Sequence, residues 1–164
     1  MRCMLHLSSS FVLKNIEQSN IEVFQWLDLF AGVDVIAKKD NNVFGIATRV
    51  QQINTNVNPY NTFTIRYSRN TGADTEFGKR MDAIRLGSFY PTLTMQGYMT
   101  EGVVRSVAIM KTLDLYRFVV KYPSLVFESK SDNEFIYCRW TDIISTGYWL
   151  HRLPINVFVQ NVLD

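Results

Sequence analysis

The sequence predicts an α+β fold, a mixed β-sheet flanked by helices, on three observations. Strand-like runs are interrupted by single amphipathic segments, in the order α-β-β-β-α-β-β-α-β-β-α-β. Hydrophobic residues make up 47% of the 164 positions and charged ones 20%, a balance that excludes a disordered tail and supplies a core. The four prolines, at positions 59, 91, 123 and 154, each fall between segments rather than inside them. That length fits a single domain, residues 1–164.

Taken in order, the first element is a helix from about Ile16 to Phe30. Ser19 or Asn20 can cap it, and Glu22 lies in the first turn beyond. Ile21, Phe24 and Leu27, with Val23, Trp26 and Phe30, give it a wide apolar stripe, and Ala31–Gly32 ends it. Three strands follow. Val33–Lys38 carries Asp34 near its start, Asn41–Asn42 turns the chain, and Val43–Gln51 returns. In the returning run Phe44, Ile46, Thr48 and Val50 share one face, and Gly45, Ala47, Arg49 and Gln51 share the other. An Asn-rich loop with Pro59 leads to Thr62–Ser68, where Phe63, Ile65 and Tyr67 alternate with polar residues.

Asp74 or Thr75 can cap a polar helix running to about Leu86, with Phe77, Met81 and Ile84 as a narrow buried seam and Gly87 closing it. Thr92–Met99 and Val103–Met110 form a hairpin about Thr100–Glu101–Gly102. Thr112–Tyr122 is an amphipathic helix expected to turn Leu113, Tyr116, Val119 and Val120 inward. A second hairpin, Leu125–Ser129 with Glu134–Arg139 around Asp132–Asn133, precedes a helix over about Thr141–Trp149 and an extended segment Ile155–Val162.

Several chemistries leave no trace. There is no GxSxG elbow, no GxxxxGK[ST] phosphate loop and no GxGxxG turn. Cys3 and Cys138 lie at opposite ends of the chain, as do His6 and His151, so zinc-ligand spacing is absent and reduced thiols are expected. Met1–Leu13 reads poorly as a signal peptide, and no run reaches the roughly 18 apolar residues of a membrane span, so a cytoplasmic protein with no membrane partner is expected.

The net charge is +2, too mild to signal nucleic acid by itself. It is unevenly spread. Between residues 49 and 85 Arg49, Arg66, Arg69, Lys79, Arg80 and Arg85 stand against Asp74, Glu76 and Asp82, with asparagines 54, 56, 58, 61 and 70 among them. Guanidinium and amide groups suit phosphate contacts, so one electropositive face toward DNA or RNA is expected.

The stretch FAGVDVIAKKDNNVFGIATRVQ, residues 30–51, preceded by a helix bearing Glu22, resembles the restriction-endonuclease-like, or PD-(D/E)XK, nuclease superfamily. The resemblance covers roughly residues 16–99, with residues 100–164 as a C-terminal extension packed on that core. It implies that Asp34 is the first acidic metal ligand and Glu22, with Glu17 as competitor, an auxiliary one, holding Mg²⁺. The second motif, acid-x-Lys, falls on Ala47–Thr48–Arg49 or on Arg49–Val50–Gln51. In the first register Arg49 stands where the lysine would be and Ala47 replaces the acid; in the second Gln51 closes the motif. The second acidic ligand is therefore missing. What the resemblance implies is a nuclease-like nucleic-acid-binding domain that either cleaves phosphodiesters with Mg²⁺ or has lost that ability. Asp34, Glu22 and Arg49 would form its catalytic set, and Gln51, Arg66, Arg69, Lys79 and Arg80 its nucleic-acid contacts. A plainer role for Asp34 is a strand-start residue bonding nearby backbone N–H groups. An alternative function is a protein-interaction module, an inhibitor or accessory subunit of a defence or mobile-element system, with an exposed aromatic patch near Phe89–Tyr90 or Trp140–Trp149.

Overall fold

The computed structural model describes residues 12–13, 32–39, 42–69, 71–128 and 134–153. The expected helix over 16–30, Glu22, and the extended segment 155–162 lie outside the described residues.

Alternating segments pair where their turns allow. β2 (Val35–Lys39) and β3 (Asn42–Gln52) are antiparallel, with Lys39 opposite Asn42, so Asn42 belongs to the strand rather than to the turn. β5 (Leu93–Thr100) and β6 (Val103–Lys111) form a hairpin whose two loop residues, Glu101 and Gly102, both have positive φ, 50° and 79°. That is the primed turn whose twist matches the strands it joins, and glycine takes the second position at no steric cost. β3 and β5 run parallel, from Ile46 opposite Leu93 to Gln52 opposite Met99. A parallel pair needs a crossover, and this one carries β4 (Thr62–Arg66) and helix α1 (Glu76–Leu86). With β1 (Val12–Leu13) and β9 (His151–Leu153) the large mixed sheet has the order β1-β2-β3-β5-β6-β9.

One expectation changes here. The sequence leads to a single mixed sheet, but the strands divide between two. β4 pairs with β8 (Phe135–Arg139), and β8 with β7 (Val126–Glu128), in a separate antiparallel sheet. Alternation within a strand announces that it pairs, not with which segment, and β4's neighbour lies some seventy residues along the chain. The C-terminal hairpin is present, and β8 supplies β4's strand partner just as β6 supplies that of β5.

β4 is an edge strand, and its free-edge amides are satisfied by side chains rather than by another strand, two of them by β5 and the Arg66 N–H by Glu76 of α1. The Thr64 N–H donates to Gln96 Oε1 at 3.3 Å. The Thr62 N–H donates to Tyr98 Oη at 3.3 Å, the two hydroxyls lie 2.8 Å apart, and Tyr98 Oη donates to the Thr62 carbonyl at 3.0 Å. Between the sheets lies the main core, in which Phe63, Ile65, Tyr98, Met110, Leu115, Tyr116, Phe118, Ile136, Cys138, Trp140 and Ile143 are buried. The opposite face of the large sheet carries a second apolar cluster about Ile46, Met95, Val107 and Ile109.

The helices follow their caps. Thr75 Oγ1 accepts the Gly78 N–H at 3.1 Å, and Gly87 ends α1 as expected. Helix α2 (Thr112–Lys121) starts directly from β6, fixed by Thr112 N–H to the Thr92 carbonyl and by the buried Thr94–Thr112 hydroxyl pair at 2.8 Å. That junction sets its rotation, so Leu115, Tyr116, Phe118 and Val119 turn inward while Val120 is exposed, contrary to the stripe the spacing suggested. Helix α3 (Trp140–Ser145) is shorter than expected. The Thr146 hydroxyl donates to the Asp142 and Ile143 carbonyls, and Gly147 at φ 86° turns the chain away.

Two predictions follow from this packing. Tyr98→Phe strands the Thr62 amide and hydroxyl in the core and should lower unfolding stability by about 1–3 kcal/mol in urea titrations. Burial pushes the Cys138 thiol up from its ordinary 9.0 to about 12, and burial also raises Tyr98 and Tyr116. The unfolded chain then loses these protons first, so stability is full below about pH 9 and falls as pH rises toward 12. Cys138→Ala should flatten that alkaline decline, measured as denaturation midpoint against pH.

Candidate functional site

The polar end of the interval between the two sheets opens to solvent as a pocket of about 200 Å³, lined by Asp34, Ala47, Thr48, Arg49, Thr64, Glu76, Arg80 and Gln96 among others. Sheet register explains the gathering. Val35 lies opposite Ile46, and the Asp34 N–H also donates to the Ile46 carbonyl at 3.0 Å, so Asp34 stands at the entry to β2, next to Ile46 and Ala47 of β3. Arg49 is two residues on along the same face, and Thr94 and Gln96 are the parallel neighbours of Ala47 and Arg49 on β5. α1 closes the pocket from the far side with Glu76 and Arg80.

Glu76 is the centre of the charge pattern. Its Oε2 accepts from Arg49 Nη2 at 2.7 Å and from the Arg66 backbone N–H at 3.4 Å, and its Oε1 pairs with Arg80 Nη1, one helical turn on. Arg80 is only 6% exposed. Burial by itself lowers its pKa, but Tyr116 and the Glu76 carboxylate outweigh that and the net direction is upward, so the guanidinium keeps its charge. Its Nη2 donates to the Gly32 carbonyl at 3.2 Å. Gly32 has φ 63°, and a Cβ there would lie 3.2 Å from the same Nη2, so backbone conformation and close approach both call for glycine. The Arg80 Nε–H is buried with no partner.

Asp34 Oδ2 accepts from the Thr48 backbone N–H and, at 3.2 Å, from the Thr48 hydroxyl. The aspartate therefore makes the strand-start bond described for its plainer role, and does so at the pocket. Arg49 and Arg66 converge without sharing the pocket lining: their Cζ atoms lie 5.2 and 4.8 Å from the centre of the Phe135 ring. Gln51 does not line the pocket; its Oε1 accepts from Nε2 of Gln96, which does, at 3.4 Å. Arg69 and Lys79 are exposed, whereas Arg80 lies inside rather than on the wet face of its helix. Of the aromatic patches anticipated, Phe89 and Trp149 are exposed at 53% and 62%, but Trp140 is fully buried.

Among the described residues, which do not include Glu22, the donor set does not suit Mg²⁺. A hard cation of that size is held by carboxylates with waters. Here one Asp34 oxygen is taken up by Thr48, and Glu76 is already neutralised by two guanidiniums. Among the described residues no three His, Cys, Asp or Glu side chains come together. Glu76, Gln96, Thr64 and Phe135 escape any local motif. The one visible signal was the Glu76–Arg80 spacing, acid four residues before base on a helix. No helix among the described residues is long and apolar enough to cross a membrane. Compared with protein-family models, with curated proteins and with solved structures, the chain matches none.

Arg80→Met should leave Glu76 half-compensated in a poorly hydrated site and lower stability by about 2–4 kcal/mol. Arg85→Ala removes only an exposed pair with Asp82 and should change it by less than about 0.5 kcal/mol, both read from urea unfolding.

Proposed function

We propose that this chain is a nuclease-like nucleic-acid-binding domain, related in plan to the restriction-endonuclease-like superfamily, whose phosphodiesterase site is degenerate. The observation that carries the reading is the shared pocket: Asp34 at the entry to β2 and Ala47, Thr48 and Arg49 of β3 line it together, with a parallel strand beside them after an intervening helix. Of the two registers for the second motif, this geometry favours Ala47–Thr48–Arg49, with alanine where the second carboxylate belongs. The pocket that would hold a metal carries two carboxylates and two guanidiniums instead. What remains suits phosphate: Arg49 and Arg66 stacked together on Phe135, with the exposed Arg69 and Lys79 following in sequence.

A second reading has one observation behind it. An apolar groove of about 380 Å³ between α1 and α2, floored by Met81, Ile84, Leu113, Tyr116 and Tyr148 and edged by Arg117 and Lys121, offers a protein-docking surface.

Salt separates the two. Fluorescence anisotropy with labelled single- and double-stranded DNA and RNA should show affinity falling about a hundred-fold between roughly 50 and 200 mM salt, as about four phosphate contacts require. Arg66→Ala with Arg69→Ala should reduce the logarithmic salt slope by about 2. No added Mg²⁺ or Mn²⁺ should produce nicking. Absence of nucleic-acid binding, or binding indifferent to salt, retires the reading.

A further inference from the structure

A second cavity, of about 340 Å³, shares no lining residue with the first. Its chemistry is unusual in what it leaves unpaired. Three of its lining residues carry buried polar atoms with no hydrogen-bond partner: Asn61 Oδ1, Ser106 Oγ and Trp140 Nε1. Trp140 itself is 1% exposed. A buried donor or acceptor left unmade costs stability, so a cluster of them at one opening points to a ligand that completes them.

Two guanidiniums join them. Arg105 and Arg152 line the same cavity, and neither has a carboxylate partner among the described residues. Arg152 Cζ lies 5.2 Å from the centre of the Trp140 ring. The way Arg105 arrives is built into the sheet. Tyr98 pairs with Ser106 but Met99 pairs with Val104, so Arg105 is the extra residue of a β-bulge. Strict alternation would send Arg105 and Ser106 to opposite faces; the bulge lets both line one cavity. Asn61 is held beside them at φ 49° by its carbonyl, which accepts the Trp140 backbone N–H at 2.9 Å.

We propose that this cavity binds an organic phosphate monoester that carries a neighbouring hydrogen-bond donor. Two guanidiniums match a dianion, and the indole N–H and the serine hydroxyl supply further donors to its oxygens. Asn61 Oδ1 is an acceptor and takes the ligand's own hydroxyl or amino group. The volume admits a molecule the size of a mononucleotide. None of this rests on the nuclease-like reading.

Titration calorimetry of the full chain with a nucleoside 5′-monophosphate, and with 5′-phosphorylated and 5′-hydroxyl oligonucleotides, tests the site. The expected result is saturable binding that requires the terminal phosphate and moves the Trp140 indole N–H resonance, assigned by difference against Trp26→Phe and Trp149→Phe. Binding of the free monophosphate assigns the monoester to a small molecule; binding of the phosphorylated strand alone assigns it to a strand end. Arg105→Ala and Arg152→Ala should each weaken binding about ten-fold or more, the scale of a lost charge-assisted hydrogen bond. Both side chains are exposed, and near-ultraviolet circular dichroism checks the fold. If Arg152→Ala disturbs the Trp140 environment, Arg105→Ala decides. No saturable binding of any phosphate monoester, equal binding of acetate, or unchanged affinity in Arg105→Ala overturns the proposal.

Discussion

The Glu76 carboxylate is the point on which the polar half of this molecule turns. It receives Arg49 from the large sheet, the Arg66 backbone N–H from the end of β4, and Arg80 from its own helix, while Arg80 in turn holds the Gly32 carbonyl ahead of β2. Three elements thus meet at one charge, and the segment ahead of β2 joins them through Arg80. Removing a guanidinium from water is costly, and only close pairing with further hydrogen bonds offsets it. The arrangement also has a chemical consequence. A carboxylate held between two guanidiniums is a poor cation ligand, so the interaction that organises the pocket is the same one that disqualifies its second acid from holding a metal.

The apolar half is organised by β5. Its side chains reach across to the free edge of β4 through Gln96 and Tyr98, so the small sheet is fastened to the large one by hydrogen bonds made to side chains. This follows from topology. The parallel β3–β5 pair obliges the chain to leave the sheet after Gln52 and return at Leu93. β4 and α1 are formed on that excursion, which is why β4 finds its strand partner in β8 and its other edge against side chains. The excursion also delivers Glu76 and Arg80 opposite the strands that carry Asp34 and Arg49.

Much of the local structure was legible from residues alone because it depends on near neighbours. The α1 cap at Thr75, its end at Gly87, and the Glu101–Gly102 turn are decided within a few positions, and each appears where the residue types put it. The proximity of Asp34, Ala47 and Arg49 was also accessible, since a hairpin register follows from strand periodicity and a short turn. Partner choice was not. Nothing in Thr62–Arg66 distinguishes a place beside β3 from a place beside β8, and α2 offers two apolar stripes between which only its junction with β6 decides. The Glu76 clamp was illegible for the same reason: two of its three bonds cross between segments that only the crossover brings together.

The most informative departures from simple pattern are those where a local rule fails and something nearby uses the failure. Alternation along β6 would put Arg105 and Ser106 on opposite faces; the bulge opposite Tyr98 and Met99 breaks that rule at the position lining the cavity with unpaired polar atoms. A sheet that needed only stability would keep its register here and fill the space with apolar side chains, as it does a few residues on at Ala108 and Met110. Instead a hydroxyl, an amide oxygen and an indole N–H are left buried without partners beside two guanidiniums. Each such group weakens the fold unless something binds there. Groups that cost stability unless bound, gathered in one small volume and complementary to one class of ligand, mark that volume as a site.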